Sequence, residues 1–293
     1  MVEGNLSMQG KVCMVTGATR GIGYAVAKGL AQKGANVVIV GRSEERIRTA
    51  LTGIRQAVNG ACVEGLLADL SSQADVRKLA RDFSARYSTL DVLVNNVGAT
   101  ILKYQQSPDG LEMTWALNYL NHFLLTHLLL NSLRAAANAN GEARIVEVTS
   151  SVYRFSDPQF KRLQQQKGYN GVLAYAQSKR AIQVYTHELA RRMQGTGVTI
   201  NAITPGFVAT NIAGGNGFLA TIMMALIKRV SKPVDEGVRP IVHLASAPEL
   251  CGKSGGYYKS FTAMPDDPLC KDQDIAARLW KMSEEMTGLE SIR

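Results

Sequence analysis

The sequence predicts one α/β domain built on a doubly wound parallel sheet with helices on both faces, and three observations support this. Short β-branched runs alternate with longer amphipathic stretches along most of the chain. The first such run passes through a glycine-rich turn straight into the first helical stretch. No linker, internal repeat or low-complexity tract divides residues 1–293, so they read as a single domain.

The elements follow in order. The run KVCMVTG (11–17) reads as a buried strand, GYAVAKGLAQKG (23–34) as a helix and NVVIVGR (36–42) as the second strand. In SEERIRTALTGIRQAV (43–58), Ser43 is placed to cap a helix whose first turn carries Glu44 and Glu45. Further strands are expected at 61–69, 90–96, 143–150, 197–204 and 254–260, and further helices near 72–87, 110–136, 172–194 and 234–247. Two stretches interrupt the alternation: a polar connection at 151–171, and 211–232, which begins glycine-rich and turns apolar and methionine-rich. Both follow strands, so both are expected to rise over the carboxyl edge of the sheet, where such folds bind ligands. Residues 261–293 form a C-terminal extension.

Composition narrows the function. Hydrophobic residues make up 46% of the chain and charged residues 19%, enough for a sizeable core and against disorder. No run approaches the roughly 20 apolar residues of a membrane span, and the N-terminus lacks the pattern of a secretory signal. The 4 cysteines are scattered without a C-x-x-C pair, which suits reduced thiols in a cytoplasmic protein, and no His/Cys cluster has metal-ligand spacing. The net charge of +9 invites a nucleic-acid reading, but the 33 Lys and Arg are dispersed without a basic run. A basic surface that attracts an anionic small molecule accounts for the charge as well.

The turn TGATRGIG (16–23) spaces its glycines as G-x-x-x-G-x-G at Gly17, Gly21 and Gly23. A tight strand-to-helix turn needs that backbone freedom to let a pyrophosphate approach, and the helix start offers it free N–H groups. With Thr19, Arg20 and Ile22, these glycines form the expected dinucleotide cradle. An acid at the end of the second strand would grip the ribose hydroxyls of NAD. Here Gly41, Arg42 and Ser43 stand in that place, and Arg20 adds a second cation from the loop. Guanidinium suits phosphate in charge and geometry, so NADPH is expected in preference to NADH.

At this point the sequence resembles the short-chain dehydrogenase/reductase family over nearly its whole length. The glycine spacing, ADL (68–70), NNVG (95–98), LNYLNHF (117–123), VTSS (148–151), YAQSK (175–179) and TPGFVAT (204–210) occur in that family's order. The connection before Tyr175, LNYLNHFLLT and the ending AARLWKMSEEMTG (276–288) look most like its retinol-dehydrogenase-like or carbonyl-reductase-like branch. The resemblance implies a Rossmann-type fold and an NAD(P)-dependent alcohol or carbonyl oxidoreductase. It implies cofactor contacts from Asp69 and Leu70 at the adenine, from Asn96 beside the adenosine ribose, and from Gly98. It implies further contacts from Pro205, Gly206, Val208 and Thr210 at the carboxamide. Asn118, Ser151, Tyr175 and Lys179 match the catalytic tetrad; of the two adjacent serines, the second is taken as catalytic and Ser150 as its structural neighbour.

Tyr175 and Lys179 share a helix face at i, i+4 spacing. In hydride transfer coupled to proton transfer, Tyr175 acts as acid in reduction and base in oxidation. Lys179, which also binds the nicotinamide ribose, is expected to lower the tyrosine's pKa. Ser151 stabilises charge developing on the substrate oxygen, and Asn118 holds a water that links Lys179 to solvent. In 211–232, Phe218, Leu219, Ile222, Met223, Leu226 and Ile227 make an apolar stripe that ends in Lys228, Arg229 and Lys232. It reads first as a helical substrate lid, second as a subunit interface and third as a membrane-surface contact.

The leading expectation is an NADPH-dependent reductase of a hydrophobic ketone or aldehyde. The alternatives are an NADP-dependent dehydrogenase of a retinol-like or secondary alcohol and, from another class, a non-catalytic NADP-binding regulator. A small-molecule partner is expected and nucleic acid is not; family habit points to a homodimer or homotetramer.

Overall fold

The computed structural model describes residues 7–156, 160, 164–205 and 234–289. Eight strands form one sheet in the order β3-β2-β1-β4-β5-β6-β7-β8. These are β1 (Val12–Thr16), β2 (Asn36–Gly41), β3 (Val63–Leu67), β4 (Val92–Asn95), β5 (Ala143–Val148), β6 (Val198–Thr204), β7 (Tyr257–Lys259) and β8 (Thr262–Ala263). All neighbours run parallel except β7 and β8, which pair antiparallel. The central strands β1 and β6 are buried at every position, as strands covered on both faces must be.

The helices are α1 (Gly21–Gln32), α2 (Glu44–Ala57), α3 (Gln73–Ser84), α4 (Met113–Trp115), α5 (Asn121–Leu128), α6 (Leu130–Asn140), α7 (Gly171–Arg192), α8 (Val234–Ser246) and α9 (Gln273–Thr287). Local chemistry fixes several starts. Ser43 accepts from Arg46 N to cap α2, Ser72 from Asp75 N to cap α3, and Asn170 from Val172 N and Leu173 N to cap α7. One core face joins Val26 and Leu30 of α1, Ile47 and Ile54 of α2 and Ile241 of α8 to the sheet. The other joins Phe83 of α3, Phe123 of α5, Ile182 and Tyr185 of α7 and Trp280 of α9.

The structure departs from the expected elements in two places. The helix expected over 110–136 is interrupted: a π turn, Ala116–Leu120, separates α4 from α5, and α6 continues to Asn140. The π turn covers only the five residues Ala116–Leu120, too short a stretch for hydrophobic spacing to reveal. The C-terminal extension carries α9, whose Trp280 ring receives the Arg192 guanidinium 3.8 Å from its centroid and stands edge-on to Phe123 at 5.3 Å. The proposed lid at 211–232 lies outside the described residues.

Candidate active site

Strand order reverses between β1 and β4, which opens a crevice at the carboxyl edge. Gly17 and Gly21 adopt the left-handed region, with φ of 63° and 58°. At Gly23 a Cβ would lie 2.5 Å from Gly17 O and 2.6 Å from Asn96 Nδ2, so only glycine permits this turn. Asn96 closes the loop onto β4: its N–H donates to Thr16 Oγ1 at 2.9 Å, and its Nδ2 donates to Thr16 O at 2.9 Å. Side chains cap α2, α3, α4, α7 and α9, whereas among the described residues none caps α1. Its first N–H groups thus face the glycine loop with the positive end of the helix dipole, a fit for a pyrophosphate.

Thr19 spans from this loop to the end of β2, where a Cβ on Gly41 would lie 2.5 Å from Thr19 Cγ2. That contact places exposed Arg20 and Arg42 around one rim. Ile22 is half-buried, and Ser43 is occupied in capping α2. Beyond β3, Asp69 Oδ1 accepts from Ser71 N at 3.0 Å and Ser71 Oγ at 2.8 Å, while Leu70 is buried. Pro205 is half-buried after β6; Gly206, Val208 and Thr210 lie outside the described residues.

The carboxyl ends of β4 and β5 bring the π turn and α7 together. Asn118, fully buried in the π turn, holds the loop after β4 by both backbone groups of Ala99. Its Oδ1 accepts from Ala99 N at 2.8 Å, and its Nδ2 donates to Ala99 O at 2.9 Å. The same Nδ2 donates to Ser178 Oγ at 3.1 Å, which joins the π turn to α7. Both of its donor hydrogens are therefore spent on positioning the loop and α7. Lys179 is buried, donates to Val148 O at 3.1 Å and stands 5.7 Å from the Tyr175 ring centroid. Burial lowers its pKa to about 8, opposed by the negative charge of Glu147.

Two expectations need correction. The serine beside Tyr175 is Ser150: its hydroxyl hydrogen-bonds the tyrosine and favours the phenolate. Ser151 is exposed as the first residue of a 3-10 turn, Ser151–Phe155. The reason is where the strand gives way: Thr149 still faces α7, its Oγ1 donating to Lys179 O, and the chain turns only after Ser150, which keeps extended backbone. The pKa of Tyr175 is raised rather than lowered, since burial of the phenol outweighs the Ser150 hydrogen bond.

Other residues at the site have roles that the motifs do not reveal. Glu147 and His122 form a buried pair behind the loop after β4. Arg180 beside Lys179 is buried and donates to Ser156 Oγ at 3.0 Å and to Asp267 Oδ2 at 3.3 Å, tying α7 to the 3-10 turn and the C-terminal extension. Among the described residues, no cluster of three or more His, Cys, Asp or Glu is arranged to hold a metal ion. Among the same residues, no helix is long and apolar enough to cross a membrane.

A glycine cradle at a strand-order reversal, with a buried lysine one helical turn from a tyrosine, defines a dinucleotide-binding oxidoreductase site. The family model for short chain dehydrogenase matches residues 11–217. Human retinol dehydrogenase 14 is 36% identical, over 96% of this chain and 88% of its own length. Human polyprenol dehydrogenase is 33% identical, over 95% and 86%. An uncharacterized protein from Mycobacterium Paratuberculosis has a similar solved structure, with TM-score 0.76 and 27% identity over 97% of this chain and 96% of its own. The chain belongs to the short-chain dehydrogenase/reductase family, in its retinol-dehydrogenase-like branch, and is an oxidoreductase acting on CH–OH or C=O groups.

Proposed function

We propose that this oxidoreductase uses NADPH to reduce a hydrophobic ketone or aldehyde, with Tyr175 as proton donor. The carrying observation is the convergence of Ser150, Tyr175, Lys179 and Asn118 beside the glycine loop. The nicotinamide, when bound, supplies the hydride; the protein supplies position and the proton. Tyr175 gives its hydroxyl proton to the substrate oxygen in reduction and recovers it in oxidation. Ser150 donates a hydrogen bond as charge develops on that oxygen. Lys179 holds the ribose and stabilises the phenolate left on Tyr175, while Asn118 keeps the loop beside Lys179 in register.

The choice of NADPH is supported by Arg20 and Arg42 on one rim, with glycine and arginine rather than an acid at the end of β2. Exposed Phe155 in the 3-10 turn, and Val172 and Leu173 at the start of α7, support an apolar substrate. The relatives' names, retinol dehydrogenase and polyprenol dehydrogenase, favour a second reading, oxidation of a long apolar alcohol by the same residues. We place the protein in the cytoplasm as a homo-oligomer, with 211–232 as its substrate lid.

The test is turnover of a panel of apolar carbonyls and alcohols with each cofactor, in the wild type and in Tyr175→Phe. Loss of reduced-nicotinamide absorbance with NADPH, abolished in the variant, supports the reading. Equal use of NADH, or activity surviving in Tyr175→Phe, overturns the cofactor choice or the mechanism respectively.

A further inference from the structure

Beyond the tetrad, a second buried polar group adjoins the site. Glu147 on β5 is the register partner of Asn95 on β4, and His122 lies one turn beyond Asn118 along the same helical stretch. The side chains of His122 and Glu147 are both 0% exposed, so solvent compensates neither. Asn95 Nδ2 donates to Glu147 Oε1 at 2.7 Å and to Thr126 Oγ1 at 3.0 Å. His122 Nδ1 is 2.6 Å from Glu147 Oε2, and its Nε2 is 2.9 Å from Val97 O.

These contacts determine where the protons sit. A carbonyl oxygen only accepts, so Nε2 carries a hydrogen and donates it to Val97 O. A bare carboxylate also only accepts, so one further proton occupies the Nδ1–Oε2 contact, on the ring or on the acid. The ring is thus held in the form that keeps its grip on Val97.

That grip acts on the wall of the lysine site. His122 holds Val97 and Asn118 holds Ala99, so two side chains one helical turn apart pin the loop on either side of Gly98. A Cβ on Gly98 would stand 3.2 Å from Lys179 Nζ and 3.5 Å from Asn118 Oδ1, so the loop backbone lines the ammonium directly. The other titratable groups around the couple are Tyr119 on the π turn and Tyr185 on α7. The charge of Glu147 adds to burial in pushing both phenols up, so they stay neutral. Tyr175 faces Lys179 from the same helix.

We propose that His122 is a positioning residue for the reaction and Glu147 its proton-sharing partner. The couple fixes the Val97–Ala99 loop against Lys179. The inference rests on the reading above, in which Lys179 binds the nicotinamide ribose.

The test follows NADPH binding by nicotinamide fluorescence from about pH 6 to about pH 10. It compares the wild type with Glu147→Gln, His122→Leu and His122→Gln. Wild-type affinity falls on the alkaline side as Lys179 loses its proton. Glu147→Gln returns an N–H to Nδ1 with no change in the couple's net charge, so it keeps the midpoint and stays within about twofold of wild-type binding. His122→Leu leaves Val97 O without its donor and weakens binding about tenfold at every pH. His122→Gln, which returns an N–H near the Nε2 position, recovers most of that loss. Wild-type binding by His122→Leu, or no recovery in His122→Gln, overturns the proposal.

If these variants fail to fold, the wild type decides through its long-range 1H–15N imidazole spectrum. A His122 ring protonated at Nε2 across the range supports the proposal, and a bare Nε2 overturns it. A wild type that binds no NADPH at any pH instead defeats the functional reading, and the imidazole spectrum still tests the couple.

Discussion

Replacing Ser150 and Ser151 in turn separates two neighbours that differ by one residue in the sequence. Ser150 hydrogen-bonds the Tyr175 hydroxyl, whereas Ser151 is exposed at the start of the 3-10 turn. Losing a hydrogen-bond donor aimed at a developing oxyanion costs on the order of 100- to 1,000-fold in kcat, about 2.7–4 kcal/mol. Ser150→Ala should therefore fall in that range. A second effect has a definite sign. The Ser150 hydrogen bond lowers the pKa of Tyr175 against burial, so its removal raises that pKa further. In alcohol oxidation the phenolate is the active form, so the rising limb of the kcat/KM profile, which reports the free enzyme, should move to higher pH in Ser150→Ala. Ser151→Ala, an exposed substitution, should change stability by no more than about 0.5 kcal/mol and leave the limb in place. The assay is the initial rate of nicotinamide reduction with one apolar alcohol across a pH series. A Ser151→Ala enzyme as impaired as predicted for Ser150→Ala, beside a Ser150→Ala enzyme close to wild type, would refute the reasoning.

Four other outcomes are expected. Gly23→Ala sets a Cβ 2.5 Å from Gly17 O, so the cradle must shift and NADPH affinity should drop about 100-fold in a fluorescence titration. Arg42→Ala should weaken NADPH about tenfold and leave NADH within about twofold, as one lost charge-assisted contact implies; equal losses would deny Arg42 a phosphate-reading role. Lys179→Met should abolish turnover yet melt higher than wild type near pH 7. Burial takes the lysine from 10.5 to about 8, a cost bounded at about 3 kcal/mol. Because the folded pKa lies below the unfolded one, that cost is full below about pH 8 and fades towards 10.5, so the gap in Tm should close over that window. Arg180→Met strips contacts of buried Arg180 with Ser156 and half-buried Asp267 and should cost about 3 kcal/mol, read as a Tm lowered by roughly 6–12 °C.

Which parts of this site were legible in the sequence follows from how far each determinant reaches. The glycine turn and the Tyr175–Lys179 pair are set by contacts within a few residues, so spacing alone exposes them. The choice between Ser150 and Ser151 depends instead on where β5 stops. β5 ends at Val148, yet Ser150 keeps extended backbone and the 3-10 turn begins only at Ser151. Which serine meets Tyr175 is set by where extended backbone gives way to the turn, and composition carries no trace of that point. His122 was hidden for a related reason. It shares a face with Asn118, a local fact, but its meaning comes from Glu147, which reaches it only through the parallel register of β4 with β5. Residues 206–210, which complete the expected cofactor contacts, lie outside the described structure. The helix α9 carries a stripe of Ile275, Ala276, Leu279 and Trp280 that periodicity could have revealed, though not its seat against Phe123 and Arg192. The reaction's groups are thus readable one by one, while their protonation states are set across the sheet, by partners that only the fold brings near.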